Sequence, residues 1–255
     1  MFAPVARIDT VKMILAMAAN RGWEVHHLDV KTAFLNGELE EEVYVVQPEG
    51  YAVKGKEQHV YKLSKALYGL KQIPKALNIR LDKSLKKLGF TKCLSEQVVY
   101  KRGAGRTVVI LGVYVDDLIV TGSEKKEIEA FKKQMTEEFE MSDLGLLSFY
   151  LGIEVDQQKD YLTLKQSGYA RKVLSRFGME DCNPTKLPMD PSTKLHEDKK
   201  GQRVDAIEYR RIIGCLRYLI HTRPNVAFSV GVASRYMEKP TVMHMQAVKK
   251  IIRYF

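Results

Sequence analysis

The chain has 255 residues, and 41 Lys+Arg against 31 Asp+Glu give a formal net charge of +10. Hydrophobic content of 45% and charged content of 28% exclude a disordered chain. Apolar runs such as Thr107 to Val115 and Ile14 to Ala19 fall far below the roughly 18 residues of a membrane span. No charged-then-apolar leader opens the chain, and Cys93, Cys182 and Cys215 show neither disulfide nor metal spacing. The expectation is an intracellular protein with reduced thiols, not secreted and not membrane-bound.

Val11, Ile14, Leu15 and Ala18 recur at helical spacing, and Gly22 stops that helix. Trp23 to Val30 reads as a strand, and Val43 to Val46 as a short one. Lys62 to Lys71 reads as a loop and Pro74 to Leu88 as a basic helix ended by Gly89. Gln97 to Lys101 and Arg106 to Val115 read as strands around a Gly103–Gly105 turn, and Leu118 to Thr121 continues as a strand. A helix follows, capped by Ser123, with Ile128, Phe131, Met135 and Phe139 on one face. Phe149 to Val155 and Tyr161 to Leu164 read as a hairpin around Lys159-Asp160. Tyr169, Val173, Leu174 and Phe177 mark a further helix, closed by Gly178. Cys182 to Gln202 is the best boundary, with three prolines and no periodicity. Beyond it the pattern is helical, with Asp205 and Glu208 resembling a capping box and Thr241 opening the last helix. Strands interleave with helices in a non-repeating order, which argues an α+β fold.

The charge alternates along the chain. Residues 1–50 carry 4 basic and 8 acidic residues (net −4), 51–110 carry 14 and 3 (+11), 111–160 carry 5 and 12 (−7), and 161–255 carry 18 and 8 (+10). The basic segments suit either solvated helix faces or a polyanionic partner. Within the acidic segments, Asp116 and Asp117 stand between two apolar runs, Val108 to Val115 and Leu118 to Val120. That places the pair at a hairpin turn, yet without the Asn-Gly or Asp-Gly that hairpins favour. Adjacent carboxylates repel each other unless a cation or a proton relieves them. Asp29 ends the strand Trp23 to Leu28. Taken singly, it also suits a helix cap, and the Asp-Asp pair a solvated bend. Taken together, three carboxylates at strand ends are what a two-metal phosphoryl-transfer site requires, with hard oxygen ligands.

Tyr114-Val115-Asp116-Asp117 resembles the active-site box of reverse transcriptases. Phe2 to Arg7, Leu28 to Gly37, Val60 to Leu63, Leu67 to Gln72 and Tyr150 to Val155 resemble, in order, the reverse transcriptase of copia-type LTR retrotransposon Pol polyproteins, and Thr222 to Pro224 and Lys249 to Tyr254 resemble the segment that joins that domain to RNase H. The resemblance covers nearly the whole chain. It implies an RNA-directed DNA polymerase with a right-hand palm, an antiparallel sheet packed by helices. Residues 1–155 would form the palm with partial fingers, including a basic insert at about 51–106. Residues 156–181 would start the thumb, 182–204 would link, and 205–255 would be a helical connection before RNase H.

The site residues follow from the same resemblance. Asp29 and Asp116 would be the main ligands of two Mg²⁺ (or Mn²⁺) ions, with Asp117 completing the set. Phe34 would gate against a ribose 2′-hydroxyl, or else be a core residue. Tyr68, Gly69, Lys71 and Gln72 would lie against the incoming nucleotide, or form an ordinary loop. Tyr114, Tyr150, Leu151, Gly152, Lys172 and Arg176 would face primer and template, with Tyr150 and Leu151 equally suited to a core. The partners would be an RNA or DNA template with primer, a dNTP, and the rest of a Pol polyprotein. The compartment would be the cytoplasm, in a virus-like particle, or the nucleus.

Two departures accompany the resemblance. The chain opens near Phe2, without the family's upstream fingers strands, and ends at Phe255 before RNase H carboxylates. After Pro74, Leu77-Asn78 replaces the family's aromatic pair. These departures support a competing reading, a catalytically inactive element remnant that binds nucleic acid only through its basic segments. A metal-dependent nuclease using the same carboxylates is a third.

Overall fold

The structure, a computed structural model, describes residues 3–33, 38–67, 69–70, 73–105, 107–159, 161–190 and 192–255. The chain divides into two compact units, residues 1–147 with 157–162, and residues 148–156 with 163–255.

The first unit is built on a six-stranded sheet. Its strands in chain order are β1 (Val25–Val30), β4 (Thr91–Lys92), β5 (Val99–Ala104), β6 (Thr107–Tyr114), β7 (Asp117–Gly122) and β8 (Met141–Leu146). They lie in the order β4-β5-β6-β7-β1-β8, and each pairing is antiparallel. A separate ribbon pairs β2 (Glu38–Val46) with β3 (Val60–Lys65). Three helices complete the unit: α1 (Ile8–Arg21), α2 (Ile73–Lys87) and α3 (Lys125–Glu138).

Strand alternation decides which residues meet which helices. Leu28 and Val30 of β1, Leu111 and Val113 of β6, and Leu118 and Val120 of β7 share one buried cluster with Leu77, Leu81 and Leu85 of α2 and Ile128, Phe131 and Met135 of α3. On the opposite face a glycine lets α1 come close. A Cβ at Gly112 would lie 2.9 Å from both Ile14 Cδ1 and Ile119 Cγ1. Helix α1 ends as its glycine requires: Gly22 adopts φ +64°, and its N–H satisfies the last carbonyls of the helix.

Lys132 of α3 is a buried cation. Lys132 Nζ is 2.9 Å from Glu129 Oε1, 3.0 Å from Asp143 Oδ2 and 3.0 Å from His26 Nδ1. Burial works against its charge, but hydrogen bonds to the two carboxylates outweigh that and hold its pKa above the ordinary lysine value. Burial and the Lys132 charge push His26 below the ordinary histidine value.

The second unit carries the hairpin of β9 (Phe149–Tyr150) and β10 (Ile153–Gln157), with β11 (Leu162–Lys165) next to β10, and then α4 (Ser167–Arg176), α5 (Ala206–Leu219), α6 (Ala227–Ala233) and α7 (Val242–Ile252). The tip of the β10–β11 hairpin, Gln157 to Leu162, belongs to the first unit. The second core gathers Tyr209, Ile212, Ile213 and Leu216 of α5, Val230 of α6, and Val248, Ile251 and Ile252 of α7. Asp205 caps α5 by accepting the Ile207 N–H at 2.7 Å. At α7 a histidine takes the acidic role in the capping box. His244 Nδ1 accepts the Thr241 N–H at 3.0 Å, and the ring stacks on Tyr236 at 4.2 Å.

The α+β class holds, and several element limits change. Lys62 to Lys65 is strand, not loop; most of β3 is exposed, so its sequence carries no apolar alternation. Glu124, not Ser123, is the α3 N-cap, because the Ser123 hydroxyl accepts the Val108 N–H instead. The Phe149 to Val155 segment is broken at residues 151–152 by a turn.

Candidate active site

Three carboxylates converge on one end of the β1–β7 pair because of register. Asp29 and Asp117 are directly opposed partners, so their side chains leave the same face of the sheet. That face is opposite to Leu28, Val30, Leu118 and Val120, which pack into the core. Burying the apolar alternate residues therefore puts Asp29 and Asp117 together. Asp116 arrives from the turn. Tyr114 pairs with Asp117, so Val115-Asp116 forms a two-residue turn and Asp117 is the first residue of β7. The Asp116-Asp117 bend expected from sequence is thus shifted by one residue.

The turn is strained at its first position. Val115 has φ +58°, a region that costs a β-branched residue roughly 1–2 kcal/mol. Packing against the core offsets this, since Val115 is partly buried there. The Asp116 carbonyl accepts the Val30 N–H at 3.0 Å, which ties the turn to the strand carrying Asp29.

The electrostatics are those of crowded anions. Partial burial raises the Asp116 carboxyl above the usual aspartate range, and the neighbouring Asp117 and Asp29 charges add to the rise. Among the described residues, His27 is a charge-compatible partner of Asp117, with Nε2 2.8 Å from Asp117 Oδ1. His27 precedes Asp29 by two in β1 and so shares its face. Sequence reading missed His27. Its i, i+2 spacing to Asp29 is the signal, but the partner is visible only once the register is known.

Among the described residues, no group of three His, Cys, Asp or Glu side chains stands close enough to hold a metal ion as it is. The donor chemistry nevertheless suits a hard cation. All three ligand candidates are carboxylates, the hard oxygen donors such a cation takes.

The other sequence candidates separate into groups. Tyr114 is half-buried at the end of β6, beside the turn. Phe34, Tyr68, Lys71 and Gln72 lie outside the described residues. Gly69 has φ +99°, and a Cβ there would meet no atom within 4 Å, so its need for glycine is conformational. Tyr150, Leu151, Gly152, Lys172 and Arg176 all belong to the second unit. Tyr150 is buried at 3% exposure. Lys172 and Arg176 are exposed on α4. Leu77, one of the two departures on α2, is a core residue at 1% exposure. An aliphatic side chain there is absorbed by packing, away from the carboxylates.

Residues 1–191 match the model of the family described as reverse transcriptase (RNA-dependent DNA polymerase). The chain is similar to the retrovirus-related Pol polyprotein from transposon TNT 1-94 of Nicotiana tabacum, 39% identical over 264 residues, covering 99% of this chain and 20% of that protein. It is also similar to the retrovirus-related Pol polyprotein from transposon RE1 of Arabidopsis thaliana, 37% identical over 253 residues, covering 99% of this chain and 17% of that protein. The chain thus spans a fifth or less of the length of these curated relatives. Among the described residues, no helix is long and apolar enough to cross a membrane.

Proposed function

Because the chain belongs to the reverse transcriptase (RNA-dependent DNA polymerase) family, in its copia-type retrotransposon branch, we propose that it extends a primer 3′-end with deoxynucleotides on an RNA or DNA template. The observation that supports this reading most is the register of β1 and β7, which brings Asp29 beside Asp117 with Asp116 on the adjoining turn.

In this reading, Asp29 and Asp116 would hold two Mg²⁺ or Mn²⁺ ions, and Asp117 would complete the carboxylate set. When bound, such ions lower the pKa of the attacking hydroxyl and neutralise charge on the leaving group. The primer 3′-oxygen forms a bond to the α-phosphorus of the dNTP as the bond to the bridging oxygen breaks and pyrophosphate departs. His27 fixes one oxygen of Asp117, so that carboxylate has a set orientation before substrate arrives. The Val30 N–H on the Asp116 carbonyl holds the turn in place. Residues Phe34, Tyr68, Gly69, Lys71 and Gln72 would receive the nucleotide. Tyr114, Tyr150, Leu151, Gly152, Lys172 and Arg176 would face primer and template, recognising an A-form hybrid by shape and backbone.

The segment roles belong to the same proposal: palm and partial fingers over 1–155, the thumb from 156, a link at 182–204 and a connection over 205–255. The native setting would be a Pol polyprotein inside the cell.

Primer extension on poly(rA)/oligo(dT) with Mg²⁺ or Mn²⁺ tests the activity. Product that disappears in Asp116→Asn is expected. Salt-dependent duplex binding with no Asp116-dependent product would instead establish the inactive, nucleic-acid-binding reading.

A further inference from the structure

The connection between β9 and β10 is a two-residue turn whose backbone is held by a side chain more than sixty residues further along. Tyr150 pairs with Ile153, leaving Leu151 and Gly152 as the central residues. Both have positive φ, +49° and +77°, the sign pattern of a type I′ turn. Such turns favour Asn-Gly. A leucine at the first position pays for the left-handed conformation without the local hydrogen bonding that asparagine offers. Something else must hold it.

The holder is Tyr218 on α5. Its hydroxyl donates to the Leu151 carbonyl oxygen. Its ring is wedged edge-on between Tyr169, at 4.7 Å between centroids, and His221, at 5.8 Å. A Cβ on Gly152 would lie 2.0 Å from the Tyr218 hydroxyl oxygen, so glycine is demanded there by the clamp as well as by φ. Two further bonds connect the hairpin to the end of α5 by way of α4: Glu154 Oε1 of β10 accepts the Gly168 N–H at 2.8 Å, and Thr222 Oγ1, just after α5, donates to Oε1 of the α4 N-cap Gln166 at 2.9 Å. Tyr218 lies beyond residue 191, where the family-model match ends.

We infer that Tyr218 is a positioning residue for the primer end: it sets the backbone of the Tyr150-Leu151-Gly152 turn, and the C-terminal helices thereby take part in primer placement. The inference rests on the polymerase reading of that turn. A helix outside the matched region contributes to primer binding through one hydroxyl.

The test uses Tyr218→Phe in the full chain, which keeps the ring and removes the donor. Hydrogen exchange of the peptide spanning residues 149–155 is measured with primer–template affinity by fluorescence anisotropy and, where extension occurs, KM for primer and for dNTP. Faster exchange in that peptide is expected, with primer–template affinity weakened about fivefold, as one lost hydrogen bond would give, and dNTP KM unchanged. Adding Leu151→Asn, which suits the left-handed position without a clamp, should restore slow exchange in that peptide. Unchanged exchange, or faster exchange with unchanged primer affinity, overturns the inference. Absence of any nucleotide incorporation by the unmodified chain overturns the polymerase reading alone, because exchange and binding are read without catalysis.

Discussion

The molecule contains two tight hairpin turns that begin alike and are held differently. Tyr114-Val115-Asp116-Asp117 and Tyr150-Leu151-Gly152-Ile153 each place a bulky aliphatic residue at positive φ directly after a tyrosine. In the first, strands β6 and β7 run eight and six residues within a wide sheet. The local conformation is imposed by long pairing and core contacts, with one main-chain bond from Val30. In the second, β9 is two residues long and cannot impose anything, so a tyrosine hydroxyl from α5 is used. Strain in a broad sheet can be maintained locally, whereas a short hairpin depends on a distant element. The first turn also places charge at a half-buried position, Asp116.

Disruption of the first turn gives the largest expected effects. Asp116→Asn or Asp29→Asn should lower primer extension by about 10³-fold while leaving the fold intact, checked by single-turnover extension and circular dichroism. Leu118, fully buried next to Asp117, anchors the turn to the core; Leu118→Ala should cost about 3 kcal/mol in urea unfolding. His27→Ala removes the partner of Asp117 and should lower kcat about tenfold, with His27→Gln close to wild type because an amide can still reach the carboxylate. The smallest effect is on pH-dependent stability. The Asp116 carboxyl is raised in the folded state, mainly by burial. The stability linked to it is therefore present at low pH and lost as pH rises through its folded pKa. Asp116→Asn should be more stable than wild type at pH 7.5, with the gap closing toward pH 4. Urea titrations at the two pH values measure this, and an opposite slope would refute a raised Asp116 carboxyl.

The second turn should respond in a contrasting way. Its variants act on primer affinity rather than on the rate of the chemical step, so a kcat loss in Tyr218→Phe equal to that of His27→Ala would erase the distinction.

Much of the site could be read from sequence because its neighbours are regular. Val108 to Val115 and Leu118 to Val120 are buried strands with no competing helical period, and the carboxylates between them had to lie at a hairpin. Helices α1, α3 and α5 announced themselves through apolar spacing. Strand β8 did not, since Met141-Ser-Asp-Leu-Gly-Leu146 is an edge strand with an interior glycine and exposed leucines, and such a strand need not alternate. Helix α6, seven residues long, is too short to show a period. The one-residue shift of the Asp116 turn was hidden because valine is among the residues least suited to positive φ. His27 and Tyr218 were hidden for another reason: their partners stand 90 and 67 residues away, and only strand register or helix packing brings them near.

The buried ammonium of Lys132 has a consequence for chemical labelling. Amine reagents attack the neutral, solvent-accessible form of a lysine. Lys132 is only 8% exposed and holds its proton more tightly than usual, so acetylating reagents should modify the surface lysines and spare this one. Its acquisition of label would then report the moment when α3 leaves the sheet, an internal clock for opening of the first unit that needs no added probe.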